Sequence, residues 1–86
     1  MAVRKPRCLS RRMVEVLAHT ANDRTGREQA SLLSIAYSTL VHHHEIVHLY
    51  LETRSDVAAV AIAVERGWIV RGGDGEWTPN YGVLGS

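Results

Sequence analysis

From Arg27 to Arg66 the chain contains neither glycine nor proline, whereas the segment after it holds Gly67, Gly72, Gly73, Gly75, Pro79, Gly82 and Gly85. Glycine and proline are the strongest local interrupters of regular structure, so the first stretch is committed to helix and the second to turns and short strands. Within the uninterrupted stretch Leu33, Ala36, Leu40, Val47 and Leu51 recur as one helical stripe. His44 falls on that stripe, and the Ser38-Thr39 pair offers a break, so residues 27–51 form either one long helix or two.

The remaining boundaries follow from capping chemistry. Ser10 can accept from the open amides of a first helix over residues 10–21, in which Met13, Val14 and Leu17 share a face. Asn22-Asp23-Arg24-Thr25-Gly26 reads as a connecting loop. Thr53 can cap a further helix over 54–66, with acidic Asp56 in its first turn and Gly67 closing it. Beyond it, Trp68-Ile69-Val70-Arg71 is rich in strand formers and Gly72-Gly73-Asp74-Gly75 is turn chemistry. Glu76-Trp77-Thr78 then supplies a return strand that ends at Pro79. Trp68 and Trp77 are placed to meet across the hairpin or to cap the core. The expected fold is mainly α with a C-terminal β-hairpin. A chain of 86 residues supports one core, which gives a basic N-terminal arm over 1–9, a single domain over 10–82 and a tail over 83–86.

Charge is distributed unevenly. Residues 1–27 carry Arg4, Lys5, Arg7, Arg11, Arg12, Arg24 and Arg27 against Glu15 and Asp23, whereas the rest of the chain is net acidic. A basic arm of this kind can track phosphates through salt-sensitive contacts, although a solvated terminus has the same composition. Cys8 is the only cysteine, and no apolar stretch of export-signal length follows the basic N-terminus. Both features lead to the expectation of a cytoplasmic protein. The longest apolar run, Val57–Val64, is bracketed by Asp56 and Glu65 and is far shorter than the roughly 20 residues that cross a bilayer. It is expected to be a buried helix segment, with no membrane contact. So small a domain without disulfides is expected to gain stability as a homodimer.

Val64-Glu65-Arg66-Gly67-Trp68-Ile69-Val70-Arg71, a glycine turn, and Trp77-Thr78-Pro79 ahead of Gly82 resemble the junction between recognition helix and wing in winged-helix DNA-binding domains. The resemblance covers about residues 53–82. It implies a three-helix winged-helix domain acting as a DNA-binding regulator on double-stranded DNA. The helix at 54–66 would then enter the major groove and the segment 71–76 would lie along the flanking backbone or in the minor groove. Arg54, Ser55 and Arg71 fall on matching positions, and Arg4, Lys5, Arg7, Arg11 and Arg12 would add backbone contacts. The sequence departs from the family pattern at Val57-Ala58-Ala59-Val60-Ala61-Ile62-Ala63-Val64, where no side chain can hydrogen-bond a base edge. Asp74 and Glu76 at the wing also oppose phosphate. The alternative is a protein-interaction module that uses the same scaffold, with its alanine-rich helix or its histidine-rich helix as the contact face.

Four of the five histidines lie between Val41 and Leu49, and His44-Glu45-Ile46-Val47-His48 is a literal H-E-x-x-H. Four residues apart on a helix, His44 and His48 share a face and are the metal-ligand candidates; Glu65 or Asp56 could supply a third ligand. The motif resembles that of zincin metalloproteases, but no strand is expected before residue 41 and one small domain leaves little room for a substrate cleft. The expectation is therefore a non-enzyme without a cofactor. His42, His43 and His44 would straddle an exposed helix face, with His44 or His48 partly buried and hydrogen-bonded.

Overall fold

The computed structural model describes residues 9–84, with side chains up to Gly82; Arg4, Lys5 and Arg7 lie outside the described residues. The elements run α1 (Arg11–Ala21), α2 (Gly26–Leu33), α3 (Tyr37–Leu51), α4 (Asp56–Glu65), β1 (Ile69–Arg71), β2 (Trp77–Pro79) and a final turn, α5 (Tyr81–Leu84). The fold is thus mainly helical with a C-terminal antiparallel hairpin, as the sequence predicts. The hairpin is preceded by four helices and not three, because residues 27–51 divide in two.

α1 begins where its cap predicts: the Ser10 hydroxyl accepts from the Met13 amide at 3.3 Å. It is the central element, packing against α2, α3, α4 and both strands. Val14, Leu17 and Ala18 face a main cluster that includes Leu9, Val47, Leu51, Ala59, Ala63 and Ile69. Val16 faces the other way, into a smaller cluster with Ala30 and Leu40. Burial of each such Val or Leu contributes about 1.5–3 kcal/mol. Ala59 and Ala63 are the fully buried residues of α4, and their small side chains bring its axis close to α1. Leu9 belongs to this core although its position suggests the basic arm.

Four helix ends carry caps that the sequence reading did not assign. α2 opens on a reciprocal capping box: the Thr25 hydroxyl accepts from the Glu28 amide at 3.2 Å and Glu28 accepts from the Thr25 amide at 2.9 Å. The Thr25 bonds also hold the Glu28 carboxyl below its usual range. α2 ends at Ser34, which takes the left-handed conformation (φ 55°), and α3 ends the same way at Glu52 (φ 55°). α4 is capped by Ser55, whose hydroxyl accepts from Ala58, whereas the Thr53 hydroxyl accepts from the Ser55 amide within the turn.

Gly67 (φ 74°) turns the chain from α4 into the hairpin, whose register pairs Ile69 with Pro79, Val70 with Thr78 and Arg71 with Trp77. The two tryptophans therefore do not face each other. Trp68 packs near Tyr50, 6.2 Å between ring centroids, and both tryptophans lean on the main cluster. The hairpin is tied to α1 by Asn22. Its side-chain amide donates to the Trp77 carbonyl at 2.9 Å and its side-chain oxygen accepts from the Trp77 amide at 2.7 Å, so Asn22 pairs with β2 as a neighbouring strand residue would. Arg24 adds an ion pair to Glu76 at 2.6 Å, and Tyr81 docks α5 on α1 by donating to Glu15 at 3.1 Å. Replacing Asn22 leaves both partly buried Trp77 groups unmatched. Asn22→Ala is predicted to cost about 1–3 kcal/mol in urea unfolding, and to speed amide exchange at Trp77 more than at Val47.

Candidate metal-ligating cleft

The two hydrophobic clusters do not meet along α3. Leu40 belongs to the smaller cluster and Val47 and Leu51 to the larger. His44 lies on the same stripe between them, where α2 presents Gln29, the one polar residue fully buried among the described residues (2% exposed). The Gln29 amide nitrogen donates to the Arg24 carbonyl at 2.9 Å and to the Thr20 hydroxyl at 3.3 Å. Its oxygen, 3.3 Å from His44 Nε2, is the remaining acceptor. His44 therefore donates from Nε2 and carries a bare lone pair on Nδ1.

That lone pair points toward α4. The left-handed Glu52 and the Ser55 cap turn the chain so that Asp56, the first residue of α4, comes back alongside α3. Asp56 Oδ1 lies 3.8 Å from His44 Nδ1 and 2.8 Å from His48 Nε2. One ligand atom from each of His44, His48 and Asp56 lies within 4.8 Å of the other two. The group lines a cleft of about 690 Å³ whose rim is apolar, with Tyr37, Val41, Val57 and Val60. Glu45, the acid of the H-E-x-x-H pattern, is 68% exposed, sits 4.0 Å from His42, and lines a second depression with His48, Leu49, Glu52 and Arg54. No strand precedes Ile69 among the described residues. The motif thus contributes two histidines to the cleft, and Glu45 is not among the residues that line it.

Of the described residues expected to meet DNA, Arg11, Arg12, Ser55 and Arg71 have partners within the chain. Arg11 lies over the Tyr81 ring at 5.4 Å and Arg12 is 3.8 Å from Glu15. Arg54 is exposed in the turn before α4, and the Ser55 hydroxyl serves as the α4 cap. Arg71 lies over Trp77 and donates to the Gly75 carbonyl at 3.0 Å, shaping the hairpin tip. Sequence reasoning missed Gln29 and Asn22. A polar residue four positions before Leu33 on an apolar stripe is a signal for Gln29, whereas Asn22 carries none beyond its loop composition.

Three histidines are held below their ordinary range. Burial does this for His44, with His48 and His43 adding to it against Asp56. Burial and then the charges of His42 and Arg12 do it for His43. For His19 burial leads, followed by the Arg24 charge, and the Arg24 guanidinium lies 3.2 Å from His19 Nδ1. A folded pKa below the unfolded value of 6.5 means that the unfolded chain binds more protons in mild acid. The stabilisation is complete above that value and is lost as pH falls below it. In chelator-treated protein the thermal midpoint is predicted to fall between pH 7.5 and pH 5, and His19→Gln is predicted to narrow that drop.

No protein-family model matches the chain, and no curated protein is significantly similar to it.

Proposed function

We propose that the protein is a small DNA-binding regulator or accessory protein of winged-helix type, holding double-stranded DNA through its backbone phosphates. The observation that carries this reading is the direct passage of α4 through Arg66 and Gly67 into a hairpin clamped on α1 by Asn22. A helix and a wing held rigidly together on a third helix are the parts with which the resembled scaffold straddles a duplex. Base reading from α4 is not part of the proposal. Its outward residues are Val57, Ala61 and Val64, flanked by Asp56 and Glu65, and they offer no donor to a base or phosphate. The cations suited to phosphate are Arg11, Arg12 and Arg54, those of the N-terminal arm, and Arg66, which is exposed beside Trp68.

Anisotropy of a labelled random duplex is predicted to report binding that weakens steeply between low and moderate salt. Each phosphate-contacting arginine reversed to Glu, Arg12 and Arg54 first, lowers the log–log salt slope by about 1. Absence of binding at low salt would overturn the reading.

A second reading rests on the same exposed face. Val57 is 81% exposed and Val64 39%, and Val57 shares the cleft rim with Val41 and Tyr37. Such a patch suits a protein contact, with a second copy of the chain as the expected occupant. Sedimentation equilibrium is predicted to show a dimer that Val57→Glu weakens by more than about tenfold, with an unchanged far-ultraviolet circular dichroism spectrum. A concentration-independent monomer would contradict it.

A further inference from the structure

We propose that His44, His48 and Asp56 form a three-ligand site for a divalent transition metal of the zinc class, with the remaining coordination position open to the cleft. The inference stands apart from the DNA reading and rests on the geometry between α3 and α4.

The donor set is the first reason. Two imidazoles and one carboxylate suit borderline metals such as zinc, whereas calcium and magnesium demand oxygen ligands. Spacing is the second. Tetrahedral zinc with bonds of about 2.0–2.1 Å places neighbouring ligand atoms about 3.3 Å apart. Here Asp56 Oδ1 lies 2.8 Å from one histidine nitrogen and 3.8 Å from the other. All three ligand atoms lie within 4.8 Å of one another, so side-chain rotation that closes the wider separations would bring them onto one centre.

Preorganisation of His44 is the third and most specific reason. Metal-binding histidines are oriented by a partner that accepts from the second ring nitrogen. Gln29 does this from a fully buried position, with its amide nitrogen engaged by Arg24 and Thr20, so its oxygen can face only the His44 Nε2–H. The Nδ1 lone pair is thereby directed at a carboxylate oxygen, and a cation is the group that turns two facing electron-rich atoms into an attraction. On binding, His48 exchanges its Nε2 hydrogen bond with Asp56 for the metal and, as a neutral imidazole, holds its ring proton on Nδ1. The bound metal ties the middle of α3 to the first turn of α4.

The histidine tract itself is the main competing source of metal affinity, and the test separates the two. Chelator-stripped full-length protein is titrated with zinc by calorimetry, and with cobalt(II) by visible absorption, which reports coordination number. The expected result is one equivalent bound, a four-coordinate cobalt spectrum, and a higher thermal midpoint with zinc. Asp56→Asn and His48→Gln each weaken binding by at least about 100-fold, while the double variant His42→Ala, His43→Ala keeps the wild-type affinity and spectrum. Asp56 is exposed, so the Asn variant retains the fold, and far-ultraviolet circular dichroism in chelator verifies this for every variant. Absence of zinc binding in the wild type would overturn the proposal. So would binding that survives Asp56→Asn and His48→Gln but disappears in the His42, His43 double variant.

Discussion

Everything in this fold depends on α1 being buried on two sides. Val14, Leu17 and Ala18 seat α4, the end of α3 and the hairpin, while Val16 seats α2 and the start of α3. A single helix of eleven residues serves both clusters, and the consequence is a core in two parts instead of one continuous mass. Ala59 and Ala63 let α4 approach closely on one side, and Asn22 extends α1 into a pairing partner for β2.

A divided core has a seam, and polar groups occupy it. Thr20 from α1, Gln29 from α2 and His44 from α3 are linked by hydrogen bonds where the apolar clusters part, and Asp56 and His48 continue the line to the surface. Leaving any of these groups unmatched is costly in a low-dielectric interior. The same cost fixes the His44 tautomer, because Gln29 has only one way to satisfy its neighbours. The requirement to match buried groups thus also organises the cleft for chemistry. The burial that holds the His44 pKa down also favours the uncharged ring that can ligate.

Much of the architecture was legible in the sequence because local signals decide it. Ser10 caps α1, Gly67 ends α4, and the change to strand formers at Trp68 with glycines at the turn announces the hairpin. The break between α2 and α3 was displaced from the suspected Ser38-Thr39 to Ser34, since a serine there takes the left-handed conformation that glycine normally marks. The true cap of α4 is Ser55 and not Thr53 for a similarly local reason, as both hydroxyls are competent and the turn geometry selects between them. Within the cleft, helical spacing was enough to pair His44 with His48, and Asp56 was one of two conceivable third ligands. Its selection over Glu65 depends on the left-handed Glu52, which has no signature in sequence; Gln29 stands out as a polar residue on an apolar stripe, but its partner is set by tertiary packing.

On the proposal made above, this polar seam brings two histidines and one carboxylate onto one metal ion. X-ray absorption at the zinc edge of the loaded protein reads that ligand set without an intermediate step. The expected spectrum has a first shell of nitrogen and oxygen at about 2.0–2.1 Å, with outer-shell scattering from two imidazole rings. A shell containing sulfur, which only Cys8 or the methionines could supply, or scattering from three or more imidazoles, as the His42–His44 tract would give, would contradict it.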